Sequence, residues 1–384
     1  MSIEERTDRH GKPRYRARYR GTDNKQRSKT FTTKRDARDW LADQRTAKRD
    51  GTWRDPGLAK ITFESLVEQW RQQSGHLTPK TVAGYESVLG KWVIPATPKP
   101  GQPTLKGRKI GAVRKSDIRK ILTYMEHEAN ASPSTRRNVL NVCRAVFRVA
   151  VDDELLVTSP AKGIKIERAP KREQTFLTAD EVEAVANAIP EPYDTLVRFA
   201  AYTGLRAGEI AALRVGRVDL MRGTIDVRDA FTEVHGAQVL GDTKSHRRRT
   251  VGLPRFLCDE LAVYLAREGI AADRSAFVFR SPTKVPSRVP DERKPLRQSN
   301  FYRRLFKPAV EAADIGKHVR FHDLRHTCVA LLIGQGAHPR AVMERMGHSS
   351  ITVSMDTYGH LFPSLDEALT DGLNDVAEAA RAAR

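Results

Sequence analysis

The segment FHDLRHT, residues 321–327, brings two histidines and an arginine close together. On a helix, His322 and His326 would share a face because they are four residues apart, and histidine pairs at this spacing bind zinc in some hydrolases. His322 and Arg325, three residues apart, would also share a face and could bind a phosphate through imidazole and guanidinium groups. The segment by itself therefore allows two kinds of site, one for a metal and one for an anion.

The composition of the chain favours the anion. The 384 residues include 67 lysines and arginines against 47 aspartates and glutamates, which gives a formal net charge of +20. A positive charge of this size, spread along the whole chain, is typical of proteins that bind nucleic acid. The alternative is a basic protein whose charged faces are only solvated. The length exceeds that of a single hydrophobic core, about 250 to 300 residues, so two or three domains are expected.

The cysteines and the N-terminus indicate a location. Cys143, Cys258 and Cys328 form neither a CxxC pair nor a disulfide framework, which fits a reducing cytoplasm. The first residues, MSIEERTDRHGKPRYR, lack the apolar core of a signal peptide, and no later run approaches the length of a membrane span. We therefore expect a soluble, cytoplasmic protein.

A stretch near the start, RYRARYRG at residues 14–21, alternates arginines with tyrosines and an alanine. A period of two predicts a β-strand with one basic face. A turn, a second strand and a helix capped by Thr33 should follow, so residues 1–57 are predicted to form a small β-sheet and helix module. Its candidate DNA contacts are Arg14, Arg16, Arg18 and Arg20. The alternative is that these arginines only protect an exposed edge strand from aggregation.

The next region, residues 61–162, has the periodicity of helices. Four segments are predicted to be helical, and the last of them has the apolar stripe of a core-facing helix. Arg136 and Arg137 lie off this stripe and are candidate DNA contacts. A charged, proline-containing linker follows and places the main domain boundary between Pro160 and Phe176.

The last half of the chain begins with LTADEVEAVANAI, in which Thr178 and Glu181 match the capping box of a helix. Further on, Arg206 follows a glycine-containing turn and should head another helix. Its guanidinium and the backbone N–H groups there could bind an anion. Alternatively, Arg206 is a surface residue that forms a salt bridge with Glu209, three positions on.

Short β-prone runs separated by turns occupy residues 223–254 and predict a small hairpin sheet. Lys244 lies in or beside the tight turn GDTKSH and should project from this sheet. By its spacing alone, Lys244 could equally be an ordinary turn lysine.

Four segments, TGLRAGEIAAL, TKSHRRRTVGLP, HDLRHT and MGHSSITVSMDTYGHL, follow one another in this order. Together they resemble the sequence boxes of the tyrosine recombinases, of the phage-integrase kind. The resemblance implies an α+β multidomain fold: an arm-type DNA-binding domain at residues 1–57, an all-α core-site DNA-binding domain at 61–162, and a mainly α-helical catalytic domain with a small antiparallel sheet at 173–384. It also implies a site-specific recombinase that rejoins DNA through a 3′-phosphotyrosine.

The resemblance assigns a role to each matching residue. The implied roles are phosphate binding for Arg206 and Arg325 with His322 and His348 beside them, general acid for Lys244, nucleophile for Tyr358, and support of the site for Glu209. The covalent intermediate conserves the energy of the phosphodiester, so we expect neither a metal nor any other cofactor.

The phenol of Tyr358 has an ordinary pKa of about 10, so a neighbouring group must accept its proton. His322 is the candidate for this general base. His326 is expected to be a helix residue with local hydrogen bonds. A zinc site of the His-Glu-x-x-His type is disfavoured, because the glutamate is missing and Arg325 would place positive charge beside the cation.

The implied partners are double-stranded DNA, at core-type and arm-type attachment sites, together with a host DNA-bending protein and an excisionase. The resemblance also implies a bacterial host cell. The C-terminal tail should be a helix with one apolar stripe, formed by Leu365, Leu369, Leu373, Val376 and Ala380. In related recombinases the C-terminal segment docks on a neighbouring protomer, so the resemblance implies a homotetramer on DNA; the alternative is that the stripe packs on its own domain. Two other functions remain open: a type IB topoisomerase-like nicking-closing enzyme and a non-catalytic DNA-binding regulator.

Overall fold

The computed structural model describes residues 1–51, 53, 57–167, 174–242, 248–281, 294–347, 350, 352, 355, 358–359 and 365–382. Contacts within the chain divide it into two compact units, Met1–Lys171 and Arg172–Arg384. The described part of the first unit contains two separate hydrophobic cores. The division into three domains remains a prediction. None of the helices in the described ranges combines the length and apolar character needed to cross a membrane.

The first core lies between a three-stranded antiparallel sheet and a helix. The elements are β1 (Ser2–Thr7), β2 (Pro13–Arg20), β3 (Gln26–Phe31) and α1 (Lys34–Arg49), with β2 in the middle of the sheet. As the period of two predicts, Ala17 and Tyr19 on one face of β2 are buried, and the arginines alternate with them. The Thr33 side chain accepts the N–H of Asp36 at 3.1 Å, which confirms the predicted cap of α1.

Strand β1 is absent from the sequence prediction. Its residues, SIEERT, include one apolar side chain, Ile3, and therefore show no alternating pattern. The strand forms because β2 offers it a hydrogen-bonding edge, along which Ile3 pairs with Ala17 and Glu4 with Arg16. The basic strand β2 is consequently a central strand. Protection of an exposed edge is therefore not the reason for its arginines.

Four α-helices surround the second core of the first unit: α2 (Phe63–Gln73), α3 (Pro79–Val88), α4 (Lys115–His127) and α5 (Pro133–Asp152). The four predicted helical segments are thereby confirmed, and α3 continues into a π-helical turn, Leu89–Val93. The apolar stripe of α5 is buried from Val139 to Ala150.

The second unit is mainly helical. In its described ranges the α-helices are α6 (Ala179–Ala188), α7 (Tyr193–Thr203), α8 (Ala207–Ala212), α9 (Arg255–Arg267), α10 (Gln298–Phe301), α11 (Lys307–Ala312), α12 (Asp323–Gly334), α13 (Pro339–Met346) and α14 (Leu365–Ala382). The capping box of α6 is confirmed, because Glu181 donates its N–H to the Thr178 hydroxyl at 3.2 Å and accepts the N–H of Thr178 at 2.8 Å.

The β-prone region forms two sheets, where the sequence predicts a single hairpin sheet. One sheet contains β4 (Val218–Asp219), β5 (Thr224–Val227) and β8 (Arg249–Gly252), and the other contains β6 (Asp229–Val234) and β7 (Ala237–Asp242). Ile225 and Val251 lie opposite each other and are buried in the main core of the unit. Burial therefore pairs β5 with β8, although the β6–β7 hairpin separates them in sequence. Lys244 lies outside the described residues.

Candidate active site

The turn between α7 and α8 positions Arg206. Gly204 caps the C-terminal end of α7, and its φ of +67° is left-handed and favours glycine. A Cβ atom there would lie 2.6 Å from the Cε of Met346, so the turn can approach α13 this closely because residue 204 is glycine. Arg206 then heads α8, as the sequence predicts: its backbone N–H donates to Glu209 Oε2 at 2.9 Å, and its guanidinium donates to Oε1 at 3.0 Å.

The carboxylate of Glu209 is buried and binds a second arginine. Arg249 donates to Oε1 at 3.0 Å and to Oε2 at 2.7 Å, a bidentate pair in which both side chains are less than a tenth exposed. The salt bridge with Glu209 that the sequence offers as an alternative role of Arg206 therefore exists, and its carboxylate is buried. Burial alone would raise the pKa of Glu209; the hydrogen bonds and charges of Arg249 and Arg206 outweigh it and hold that pKa below its ordinary value.

Arg249 is a site residue that the sequence reasoning misses. The sequence does contain a pattern that indicates its burial. Arg249 begins β8, and side chains two residues apart on a strand share a face. Arg249 thus lies on the same face as Val251, which is buried in the main core.

Arg325, in the first turn of α12, is buried to 3% exposure. Its guanidinium donates to the carbonyl oxygen of Gly204 at 2.5 Å and to that of Met346 at 2.6 Å. Burial, with the like charge of Arg206 added to it, lowers the pKa of Arg325 to about 10. The group therefore remains cationic at neutral pH.

The C-terminal end of α13 binds all three arginines. The contacts are from Arg249 Nε to the carbonyl of Arg345 at 3.0 Å, from Arg325 to that of Met346 at 2.6 Å, and from Arg206 to that of Gly347 at 3.4 Å. Carbonyls in the last turn of a helix lack helical partners and carry the negative end of the helix dipole. Three consecutive carbonyls thus hold the three cations close together.

The charge balance around these arginines would favour a bound anion. In the described part of the chain, Glu209 is the carboxylate that contacts Arg206 and Arg249. Asp323, also buried, pairs with Arg320 at 2.7 Å instead. The cluster therefore holds more positive than negative charge in a buried setting, and an anion would relieve the repulsion among the cations. A phosphodiester, whose two non-bridging oxygens match guanidinium donors, is an anion of this kind.

Tyr358 lies beside this cluster. Its side chain is 2% exposed and belongs to a small core that also contains Cys328 and Met346. Its hydroxyl lies 2.5 Å from the Nδ1 atom of His326. Burial raises the pKa of Tyr358 to about 12, while the positive charge of Arg325 acts in the opposite direction. The candidate nucleophile is therefore protonated at neutral pH and hydrogen-bonded to an imidazole.

The partner of His326 differs from the one expected. The prediction of purely local hydrogen bonds for this residue is wrong, since Tyr358 is 32 residues away. His322, the expected base, is exposed immediately before α12, and its ring lies edge-to-face with that of His326 at 5.0 Å. Desolvation by the neighbouring protein groups, together with the charges of His326 and Arg325, lowers the pKa of His322 to about 4.

The structure therefore brings together Arg206, Glu209 and Arg325 with Tyr358 nearby. Lys244 and His348 lie outside the described residues. Across the described ranges, no cluster of three or more histidine, cysteine or carboxylate side chains could hold a metal ion.

The candidate DNA contacts of β2 are partly engaged within the sheet. The pairs are Arg14 with Asp8 at 3.1 Å, Arg18 with Glu4 at 2.6 Å and Arg16 with the hydroxyl of Ser28 at 3.1 Å. Arg20 is exposed. In the helical region, Arg136 pairs with Glu126, and Arg137 donates to the carbonyl of Glu167 at 3.1 Å. Contact of these six arginines with DNA remains a prediction.

Two family models match the chain. The phage integrase family matches residues 175–364, and the N-terminal domain of phage integrases matches residues 12–50, so the two together cover more than half of the chain. The chain belongs to the phage integrase family. This integrase is accordingly a tyrosine recombinase, as the four sequence boxes imply.

Individual relatives agree with this assignment. The ICEBs1 integrase of Bacillus subtilis is 28% identical over 280 residues, which is 68% of this chain and 73% of that protein. The Tn1549 transposon integrase in complex with transposon right end DNA has a TM-score of 0.65 at 20% identity, over 81% of this chain and 98% of that one. A lambda integrase tetramer bound to a Holliday junction has a TM-score of 0.54 at 16% identity, over 92% and 97%. At these identities the structural likeness establishes the fold.

Proposed function

We propose that this integrase cleaves and rejoins double-stranded DNA at specific attachment sites through a covalent 3′-phosphotyrosine formed by Tyr358, and thereby integrates and excises a mobile element such as a prophage. The observation that supports this best is the convergence of Arg206 and Arg325 on the carbonyl end of α13, beside the buried Tyr358. The topoisomerase-like and regulatory alternatives are not favoured, because two phage-integrase models match the chain.

In this mechanism Arg206 and Arg325 bind the scissile phosphate. Attack by the phenol oxygen on phosphorus produces a pentavalent transition state with charge on the non-bridging oxygens. Guanidinium groups that are already held in place stabilise this charge without reorganising. Glu209 and Arg249 act as positioning residues, because the Glu209 carboxylate binds Arg206 on one side and Arg249 on the other.

The remaining groups complete the reaction. Lys244, as a flexible ammonium, would donate a proton to the leaving 5′ oxygen. His322 and His348 would contact the phosphate, and the exposure of His322 suits that role. The roles of Lys244 and His348 rest on the sequence resemblance. The phosphotyrosine conserves the energy of the broken bond, so a free 5′ hydroxyl can reverse the reaction without a metal or a nucleotide.

Tyr358→Phe tests the nucleophile. The substrate is a nicked suicide duplex that carries the core site found by sequencing integration junctions, and cleavage releases a short fragment that blocks rejoining. Wild type should accumulate a denaturation-resistant adduct through a 3′ phosphate, also with a metal chelator present, whereas Tyr358→Phe should bind the DNA and form none. An adduct with the variant would remove Tyr358 as the nucleophile, and a reaction that stops with the chelator would restore the metal site.

The C-terminal helix α14 supports assembly into a tetramer on DNA. Its side chains at Leu373 and Val376 are 70% and 68% exposed, although they belong to the predicted apolar stripe. Exposed apolar side chains in a row indicate a surface that another chain covers. We expect α14 to dock on a neighbouring protomer, so that removal of residues 364–384 should impair synapsis of two core sites and preserve binding to one. Unchanged synapsis by the truncated protein would count against this assembly.

The N-terminal module is proposed to bind arm-type sites, while a host DNA-bending protein and an excisionase control how arm and core sites meet. The match of residues 12–50 to the N-terminal domain of phage integrases supports this assignment. Deletion of residues 1–57 should abolish arm-site binding and leave core-site cleavage measurable. If the truncated protein still bridges arm and core DNA, the module has another role.

A further inference from the structure

The Tyr358 hydroxyl contacts a histidine to which the sequence boxes give no role. The Nδ1 atom of His326 is 2.5 Å from the hydroxyl, and the two ring centroids are 5.7 Å apart. We propose that His326 is the general base that takes the proton from Tyr358 during cleavage and returns it during rejoining. This inference rests on the proposed function, in which Tyr358 is the nucleophile.

Packing holds the two groups together on both sides. The ring of Phe176 lies 6.3 Å from that of Tyr358, and the next residue, Leu177, donates its N–H to the Thr327 hydroxyl on α12 at 3.1 Å. His326 is in the same helix and is half-buried. The contact between imidazole and phenol is therefore built by three segments that are distant in sequence. A base that is already in hydrogen-bonding distance meets the geometric requirement for general base catalysis.

The protonation states of the pair suit this role. Burial lowers the pKa of His326, and the charges of Arg320 and Arg325 lower it further, while Asp323 acts in the opposite direction. The imidazole is therefore neutral at pH 7, and the phenol is protonated. With the imidazole proton on Nε2, the lone pair of Nδ1 accepts the phenol O–H.

The proton moves as the new bond forms. The phenol is a much weaker acid than the imidazolium, so transfer before attack is unfavourable. As the oxygen of Tyr358 bonds to phosphorus, it becomes an ester oxygen, and its proton passes to Nδ1 of His326. The bond from phosphorus to the 5′ oxygen breaks at the same time, and that oxygen receives a proton from the general acid. The charge of Asp323 stabilises the imidazolium that results. Rejoining reverses each of these transfers.

His322 is less suited to the same task. Its imidazole is exposed immediately before α12, whereas the tyrosine ring is buried. In the described part of the chain, the imidazole bonded to the phenol is that of His326. His322 thus keeps the phosphate-binding role that the resemblance implies.

The test is the rate of adduct formation by His326→Asn on the suicide duplex in a single turnover. The Asn amide oxygen can accept the phenol hydrogen bond near the Nδ1 position but cannot take up the proton. Cleavage should be about 100-fold slower or more, the usual effect of removing a general base, with binding of the duplex unchanged. Incorporation of a fluorinated tyrosine at position 358, whose phenol is more acidic, should recover at least part of this loss. The fluorinated tyrosine should recover none of the cleavage rate that His322→Asn loses, since His322 is proposed to contact the phosphate.

The possible outcomes are distinct. Cleavage by His326→Asn within threefold of wild type would overturn the proposal, as would a loss that the fluorinated tyrosine leaves unchanged, because that loss would be structural. His326→Gln, compared in the same way, provides a second variant if His326→Asn binds DNA poorly. Failure of the wild-type protein to form any adduct would instead contradict the proposed function itself.

Discussion

The arginine clusters of the two units differ in how deeply they and their carboxylate partners are buried. Around Glu209, the side chain of Arg249 is 8% exposed and that of Arg206 is 25% exposed. On strand β2, the side chains of Arg14 and Arg18 are 38% and 33% exposed, and their carboxylate partners are accessible as well. The first group is held by a buried carboxylate and helix carbonyls, whereas the second group is held by ion pairs that water screens.

The difference in burial decides how easily an arginine can change its partner. A surface ion pair is worth about 0–1 kcal/mol, so an arginine on β2 can exchange its carboxylate for a DNA phosphate at little cost. A buried pair that loses one partner leaves a charge without compensation, which costs about 3–5 kcal/mol. The buried arginines around Glu209 are therefore held by the folded protein, whereas the arginines of β2 can exchange their partners. Four experiments test this contrast.

Arg249→Met should have the largest effect on the fold. It leaves the charge of Glu209 buried with part of its compensation removed, so the free energy of unfolding should fall by about 3–5 kcal/mol. Urea denaturation measures this value. Arg222→Met, at a side chain that is 84% exposed, is the matched control and should change it by less than about 1 kcal/mol. Equal decreases in the free energy of unfolding of the two variants would show that the buried cluster stabilises the fold no more than a surface ion pair does.

Arg325→Ala should act mainly on the reaction. Removal of a charge-stabilising donor should slow single-turnover cleavage of the suicide duplex by about 100-fold to 1000-fold, while DNA binding survives. Arg340→Ala, at an exposed arginine of α13 that pairs with Glu344, is the control and should cleave at the wild-type rate. A variant at position 325 that cleaves as fast as this control would exclude Arg325 from phosphate binding.

Acid should weaken the buried cluster selectively. The pKa of Glu209 in the folded protein lies below its ordinary value of 4.5, so the stability that this group contributes is complete above about pH 4.5. It is lost as the pH falls through the folded pKa. Glu209→Gln should therefore be less stable than wild type at pH 7, and the gap should narrow below pH 4.5. A gap that is constant with pH would mean that the charge of Glu209 is not what stabilises the cluster.

Substitutions on β2 should have the smallest effects and should act on binding alone. Arg16→Ala or Arg20→Ala removes at most one phosphate contact, so the slope of log affinity against log salt for arm-site DNA should fall by about 0.9 for each. Mobility-shift titrations at several salt concentrations measure this slope. Core-site cleavage should stay at the wild-type rate. A cleavage defect in either variant would mean that the sheet and the catalytic unit are not independent in function.

Much of the architecture follows from local sequence patterns. The period of two predicts β2, the apolar stripe predicts α5, and the caps at Thr33 and Thr178 mark the starts of α1 and α6. Each of these signals is contained within a few residues, since an element begins and ends according to its own side chains. Strand β1 could not be predicted from such local signals, because it has no alternation of apolar residues and forms only by pairing with β2.

The amino-acid sequence shows which residues are available for chemistry: two arginines and a tyrosine, in boxes that follow one another in the family order. How these residues meet depends on the tertiary fold. Arg206 and the carbonyl of Gly347 are 141 residues apart, Arg249 and that of Arg345 are 96 apart, and His326 and Tyr358 are 32 apart. The periodicity of a sequence cannot predict such contacts, because they depend on how distant helix ends and strands pack. The buried arginines and Tyr358 then form hydrogen bonds with the carbonyl oxygens or ring nitrogen that this packing places beside them.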